Sequence, residues 1–339
     1  MSVHLWMRSE TRATEQRAPL VPRDCHTLLA DGVRITVERS AQRVFGDEEY
    51  ADAGCELAAT GSWPDAPADV HVLGIKELPE QPAELVHPHV YFAHAFKGQE
   101  GAEEVLARFA RGGGELLDIE YLTRDGHRVV AFGRWAGYVG AALGVLALRG
   151  RLETPLAPMG RDALDAALAA DIAPLRALVI GARGRSGGGA VEALAVAGAQ
   201  ITPWDKGHTQ QLDRAELLDH DLLVNCVVSR GPATLPWVRR EDLEVDRRLR
   251  MVADVTCDVT SGANLVPVNT AITTWEHPVR RVADDPPLDV IAIDNLPSLL
   301  PREASEDFSA ALSVLIGELA GREGPWAAAR ASYERARNS

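Results

Sequence analysis

Lys76 and His94 stand at the ends of two short apolar runs, VHVLGIKELPE and HVYFAHAFKGQEG, that read as successive strands. A lysine ammonium shifts its pKa readily with its surroundings, and histidine titrates near neutrality. Such a pair can take and return protons while a hydride passes between a nicotinamide and an amine. Of 35 Lys+Arg residues only Lys76, Lys97 and Lys206 are lysines, and two of them fall in these motifs. A lone histidine is more often a satisfied core residue, and a lone lysine a solvated strand end. Their placement at neighbouring strand ends, where open α/β sheets collect ligands, favours the chemical role.

The segment ALVIGARGRSGGGAVEALAVAGAQITPWD reads as strand, glycine turn, helix, and a second strand ending in an acid. Amides at a helix N-terminus bind a pyrophosphate, and glycines let phosphates approach the main chain. Gly181, Gly184 and Gly187 give G-x-x-G-x-x-G rather than the usual G-x-G-x-x-G. Asp205, 24 residues beyond Gly181, stands where a carboxylate takes the adenosine ribose hydroxyls and favours NAD over NADP. Lys206 beside it softens that preference. A third cluster, Arg8, Arg12 and Arg17 in RSETRATEQRAPLVP, suits a carboxylate clamp, or else a solvated loop paired with Glu10 and Glu15. Composition favours the solvated loop.

Several elements must position these residues. Strands are expected at 3–7, 33–38, 69–75, 89–94, 116–121 and 129–132, with helices at 22–30 and 101–111. The apolar stretch 133–150 reads as a helix buried between two domains, and 151–174 as a linker with a short Ala-rich helix. A second α/β region follows, with strands at 177–180, 200–204, 222–226, 251–255 and 290–293. Its turn is expected over 181–189 and its helix over 190–197. Helices at 302–320 and 326–337 close the chain. Strands alternating with helices predict parallel α/β sheets.

The 339 residues suit two domains, and 49 Asp+Glu against 35 Lys+Arg give a formal charge of −14. A surface of that sign repels phosphate backbones and anionic lipid, so neither nucleic acid nor membrane is an expected partner. The longest apolar stretch, 135–148, is short of the roughly 20 residues that span a bilayer. No secretory signal is evident at the N-terminus. Four cysteines without a CxxC pair suggest a reduced, cytoplasmic protein. No metal site is expected.

MRSETRATEQRAPLVP, GIKELPE, YFAHAFKGQEG, RVVAFG, GARGRSGGGA and IDNLPSLLPREASEDFS together resemble the NAD-dependent, lysine-forming saccharopine dehydrogenases. The layout more distantly resembles the alanine dehydrogenase and transhydrogenase families. The resemblance runs from about residue 3 to 330. It implies an α/β protein of two Rossmann-like, doubly wound domains with the active site in the interdomain cleft. A catalytic domain would comprise residues 1–132 plus 303–339, the C-terminal helices returning to it, and an NAD-binding domain residues 133–302. Lys76 would be the base and His94 the acid, with Glu77 and Glu120 near Lys76 tuning its charge. Arg17, Lys97, Gln99, Arg128 and Phe132 would contact substrate. Gly181, Gly184, Arg185, Gly187, Asp205, Thr209, Val255, Asp294, Asn295 and Leu296 would contact NAD.

The chain departs from the family pattern at Arg12 (a lysine), His127 (an arginine), Ser186 (a cysteine), Thr256-Cys257-Asp258 (Ser-Ala-Asp) and Asn295 (a histidine). These departures bear on the amine taken more than on the reaction. The expected activity is oxidative cleavage of saccharopine to lysine and 2-oxoglutarate, reversible as reductive amination. Two other readings stay open: an opine-type dehydrogenase joining a different amine to a 2-oxo acid, and a non-catalytic NAD-binding sensor. The oligomeric state is not legible.

Overall fold

Short β-branched and aromatic runs such as HLWM, RITVE and LLVN are too short for helices, and they become strands whose side chains are largely buried. The computed structural model describes residues 3–96, 101–170, 173–229, 231, 235–260, 262–319, 321 and 324–337. It separates into two units, Met1–Ala131 with Pro301–Ser339, and Phe132–Leu300.

In the first unit β1 (His4–Met7), β2 (Arg34–Glu38), β3 (Glu56–Ala58), β4 (His71–Leu73), β5 (Pro88–Tyr91) and β6 (Glu115–Asp118) form one sheet. Its order is β3-β2-β1-β4-β5-β6, and every pair is parallel. The order reverses between β1 and β4, so the chain leaving those two strands diverges at their carboxyl ends. Helices α1 (Pro22–Ala30), α2 (Asp47–Asp52) and α3 (Ala102–Gly112) belong to the same unit. Pro22 at the first turn starts α1, and Gly113 at φ 76° ends α3.

Several strand expectations change here: the run 69–75 is strand only over His71–Leu73, and the run 89–94 ends as strand at Tyr91, so Lys76 and His94 lie beyond the strands. The run 116–121 is extended only to Asp118. The Asp118 carboxylate then accepts the Glu120 amide at 2.9 Å and tightens Ile119–Tyr121 into a 3₁₀ turn. The run 129–132 is not a strand. A small hairpin, β7 (Thr123–Arg124) and β8 (His127–Arg128), lies just before it, turned by Asp125 and Gly126 at φ 53° and 73°. Two positive φ values are what a tight hairpin needs, and Asp-Gly supplies them.

The second unit begins with α4 (Gly133–Leu148), followed by α5 (Arg161–Ala169), β9 (Arg176–Ile180), α6 (Arg185–Val196) and β10 (Gln200–Trp204). Then come α7 (Lys206–Gln210), α8 (Arg214–Leu218), β11 (Leu222–Asn225), β12 (Met251–Asp254), β13 (Arg280–Asp284) and β14 (Pro287–Ile291). The sheet order is β10-β9-β11-β12-β14-β13, parallel except for the β13–β14 hairpin. Its reversal falls between β9 and β11.

Helix α6 starts at Arg185, five residues before the expected start, so the run Gly187-Gly188-Gly189 is helical. Glycine weakens a helix by about 0.5–1 kcal/mol relative to alanine, and close packing overrides that here. A methyl on Gly189 would lie 1.9 Å from the Arg134 carbonyl oxygen, and one on Gly137 would lie 1.7 Å from that of Ser186. Thus α4 and α6 meet backbone to backbone.

The chain closes with α9 (Pro301–Ile316) and α10 (Gly324–Arg337), both in the first unit. Ser305 accepts the Ala18 amide at 2.9 Å, and Ser309, one turn on, accepts the Val21 amide at 3.0 Å and donates to Asp24. On α10, Tyr333 donates to the Gly114 carbonyl just before β6. Among the described residues no helix is long and apolar enough to cross a membrane.

Candidate active site

In the first unit the candidate residues follow the carboxyl ends of adjacent strands. Beyond β4, Gly74 donates to Val90 at 3.0 Å and Ile75 accepts from Phe92 at 3.2 Å, so the ladder to the β5 chain continues up to Lys76. Gly74 leaves room for the Arg8 guanidinium, which a Cβ there would meet at 2.5 Å and displace. Lys76 is half-buried. The neighbouring Glu77 is exposed, and its carboxylate takes Arg12 Nε at 3.0 Å and Nη2 at 2.9 Å. Burial would raise the Glu77 pKa, but its own amide, Arg12 and then Lys76 hold it below the usual range.

His94 lies three residues past β5 with φ 52°, a left-handed backbone that a non-glycine residue adopts only when its surroundings impose it. Its ring stacks on Phe92 (6.3 Å between centroids, 18°), and Nδ1 lies 3.6 Å from Glu120 Oε2. Glu120 Oε1 in turn accepts Arg128 Nη2 at 2.8 Å, across from the hairpin. Behind them Asp118 is buried, and burial raises its carboxyl to about 6 against the opposing Glu120 amide. The structure therefore brings His94, Glu120 and Arg128 together, and Lys76 with Glu77 and Arg12. Asp118 was not anticipated; a carboxylate two residues before Glu120 at a strand end was its signal.

The arginine cluster is paired, as composition favours, but two of its pairs are buried rather than solvated. Arg17 holds Glu15 through Nε (2.8 Å) and Nη2 (2.6 Å), with side chains 2% and 0% exposed. Arg8 faces Glu10, both nearly buried. Burial would raise Glu15, yet Arg17 and then Lys76 keep its carboxyl below the usual range. Lys97 and Gln99 lie outside the described residues. Phe132 falls in the second unit, as the residue capping α4.

In the second unit the turn after β9 runs directly into α6. Gly181 has φ 85°, and the Gly181 and Ala182 amides donate to the Trp204 carbonyl at 2.9 and 3.2 Å. That contact sets Asp205, at the end of β10, beside the turn. Gly184 caps α6 in extended backbone and Arg185 is its first, exposed residue. A Cβ on Gly187 would meet the Gly181 carbonyl oxygen at 2.1 Å, so the turn closes only over a bare main chain. Asp205 receives the Gly207 amide (2.9 Å), His208 Nδ1 (3.0 Å) and Arg183 Nη2 (3.0 Å). The His208 and Gly207 bonds, then the Arg183 charge, hold it below the usual carboxylate range.

Thr209 turns inward on α7, donating to Lys206 at 3.2 Å. Val255 follows β12 half-buried, and Leu296 is buried; both approach Gly140 of α4, where an added Cβ would lie 2.8 and 3.2 Å from them. Asp294 is exposed, and Asn295, at φ 73°, donates to Ser298. A buried set was missed here. Asn225 donates to Asp254 at 2.9 Å and accepts Trp237 Nε1 at 2.9 Å, while Thr256 donates to Asp254 at 2.8 Å. A bare glycine turn, a helix N-terminus and an acid at the end of the next strand are what a dinucleotide site of this fold requires, and residues 181–187 with Asp205 fit that requirement.

The family model for the N-terminal domain of alanine dehydrogenase/PNT matches residues 6–139. A saccharopine dehydrogenase (NAD(+), L-lysine-forming) of Neurospora crassa is 44% identical, over 90% of this chain and 88% of that protein. The enzyme of the same name from Emericella nidulans is 41% identical, over 94% and 92%. An L-alanine dehydrogenase structure superposes with a TM-score of 0.70 over 98% of this chain and 94% of the other, at 15% identity, and so shares the fold. On sequence similarity spanning nearly its whole length, this chain belongs to the NAD-dependent, L-lysine-forming saccharopine dehydrogenase family.

Proposed function

We propose that the chain catalyses the NAD-dependent oxidative cleavage of saccharopine to L-lysine and 2-oxoglutarate, and the reverse reductive amination. The observation that carries this reading is that Lys76 and His94 each follow the carboxyl end of one of two adjacent parallel strands, with Glu120 beside His94. NAD, when bound, supplies the hydride acceptor; Gly181, Gly184, Arg185 and Gly187 would face its pyrophosphate and Asp205 its ribose. Thr209, Val255, Asp294, Asn295 and Leu296 would complete that site.

Loss of a hydride from the glutamyl carbon and a proton from the secondary amine leaves an imine. Lys76 Nζ takes that proton, gives it back to the imine nitrogen as water adds to the carbon, and takes a proton from that water, which it later releases to solvent. The carbinolamine hydroxyl passes its proton to the His94 ring as the C–N bond breaks. His94 Nδ1 faces Glu120, which leaves Nε2 to give a proton to the departing lysine amine as the C–N bond breaks. Glu77 and Glu120 hold the charge balance around the pair. Arg128, and Arg17 with Lys97, Gln99 and Phe132, would orient the carboxylates and exclude misaligned poses. The partners are small molecules, and the four free cysteines fit a reducing, cytoplasmic setting.

The test is NADH oxidation with 2-oxoglutarate and lysine, ornithine or alanine, on wild type and Lys76→Met. Turnover with lysine alone, lowered by orders of magnitude in the variant at unchanged NADH affinity, is the expected result. Turnover with a different amine, or a fully active variant, overturns the assignment.

A further inference from the structure

Two side chains from the segment after β1 grip the peptide units that carry Lys76. The Glu10 carboxylate accepts the Ile75 amide at 2.7 Å through one oxygen and the Lys76 amide at 3.0 Å through the other. The Arg8 guanidinium donates to the Lys76 carbonyl, reaches the Glu77 carbonyl at 3.4 Å, and lies 3.4 Å from Glu10. Both side chains are nearly inaccessible, at 1% and 5% exposure.

This arrangement answers a specific gap in the sheet. The β1 chain makes its last ladder bond from the Arg8 amide to Leu73 at 3.0 Å. Beyond that point, at the order reversal, the amides of Ile75 and Lys76 have no β1 strand beside them, and a buried amide left unmet is destabilising. The Glu10 side chain takes the place of the missing strand. A buried ion pair is seldom the most stable filling for such a site, since an apolar pair of equal volume often does as well. An apolar pair would leave two amides and a carbonyl unmet, and Lys76 would be free to swing. On the far side the Ile75 carbonyl is held by Phe92 at 3.2 Å, so the segment is fixed on both edges.

We infer that Glu10, with Arg8 as its counter-ion and second grip, is a positioning residue that fixes where Lys76 delivers its side chain. The inference rests on the proposed proton-transfer role of Lys76. Neither side chain touches the reacting atoms; both act through the main chain of residues 75–77.

The test is Glu10→Gln, which keeps the shape and one acceptor but turns an NH₂ group against the second amide. Turnover is measured per NADH-binding site, counted by fluorescence titration, with lysine and 2-oxoglutarate. The expected result is a kcat lowered about 10- to 100-fold, with NADH affinity and the KM for lysine within twofold. A purely structural role would reduce the number of NADH-binding sites and leave kcat per site unchanged, and that outcome overturns the inference. Should E10Q bind no NADH, Gly74→Ala substitutes for it, since its methyl displaces the Arg8 guanidinium without removing a buried charge. A normal kcat per site in G74A overturns the inference, and a lowered one supports it. K76M is run in parallel: an active K76M defeats the reading of Lys76 itself, whereas an inactive K76M beside a fully active E10Q defeats only the role of Glu10.

Discussion

His94 Nδ1 lies 3.6 Å from one oxygen of Glu120, while the other oxygen of that carboxylate holds Arg128 at 2.8 Å. One carboxylate thus orients a candidate acid and a candidate substrate-binding cation together. It is itself fixed because its amide is received by Asp118 at 2.9 Å. The left-handed backbone at His94 and the 3₁₀ turn at Glu120 are the local distortions that bring the two side chains face to face.

Replacing Glu120 with glutamine keeps the shape and removes the shared charge. We expect kcat to fall about tenfold or more, because His94 loses its orienting partner, while NADH affinity stays within twofold. Steady-state kinetics beside fluorescence titration check this. An unchanged kcat would mean that Glu120 serves only the hairpin.

Adjacent glycines of α6 should respond in opposite ways to the same methyl group. Gly187→Ala brings a Cβ to 2.1 Å from the Gly181 carbonyl oxygen and should abolish NADH binding by spreading the turn. Gly188 has nothing within 4 Å of an added Cβ, so G188A should bind NADH normally and gain about 0.5–1 kcal/mol of stability. Titration and thermal melts distinguish the two, and equal effects would contradict the close approach.

Acid sensitivity follows from buried histidines. Burial, and then Arg330, pushes His71 to about 4, and burial first among its causes holds His89 well below its ordinary value. Unfolded, each binds a proton near pH 6.5, so their contribution to stability is complete above that pH and is lost as pH falls toward 4. Asp118, raised to about 6, runs the other way: its contribution is complete below the unfolded value near 4 and is lost as pH rises through 6. Among the described residues neither buried ring nitrogen of His89 has a hydrogen-bond partner, and the ring lies between Trp63 and Phe109 in edge contact with both. His89→Leu should therefore be more stable by about 1 kcal/mol at pH 7 and lose less of that stability at pH 5. Melting curves across pH 4–8 decide the matter; a steeper acid limb in the variant would refute it.

The serines of α9 should matter for folding and not for chemistry. Ser305→Ala or Ser309→Ala strands a buried amide, Ala18 or Val21, and should cost about 1–3 kcal/mol each. Urea unfolding measures the loss, with kcat per NADH-binding site expected to be unaffected. A lowered kcat at wild-type stability would give these serines a different role.

Part of this protein was legible in local sequence, where near neighbours along the chain decide the outcome. Alternating strand and helix periods predicted parallel sheets, and α1 and β10 occupy their expected spans of 22–30 and 200–204. The glycine turn and its acid were visible because a strand, a helix start and an acid 24 residues on act through nearby chain. The hairpin turned by Asp125-Gly126 was equally local, although the strand was expected at 129–132.

Tertiary structure decided the rest. Helix propensity places the start of α6 beyond Gly189, but the backbone of α4 lies so close that only glycine fits, and the helix begins at Arg185. The arginines near the N-terminus suggest solvated pairs, whereas Arg8 and Arg17 are buried with their carboxylates, Arg8 against the distant carbonyls of Lys76 and Glu77. The grip of Glu10 on Lys76 spans 66 positions and exists only because β1 and β4 become neighbours where the sheet order reverses. Local sequence chose the elements and the residue types able to do chemistry. Which carboxylate faces which cation depended on strand order, because hydrogen bonds between distant segments form only after the sheet has brought them together.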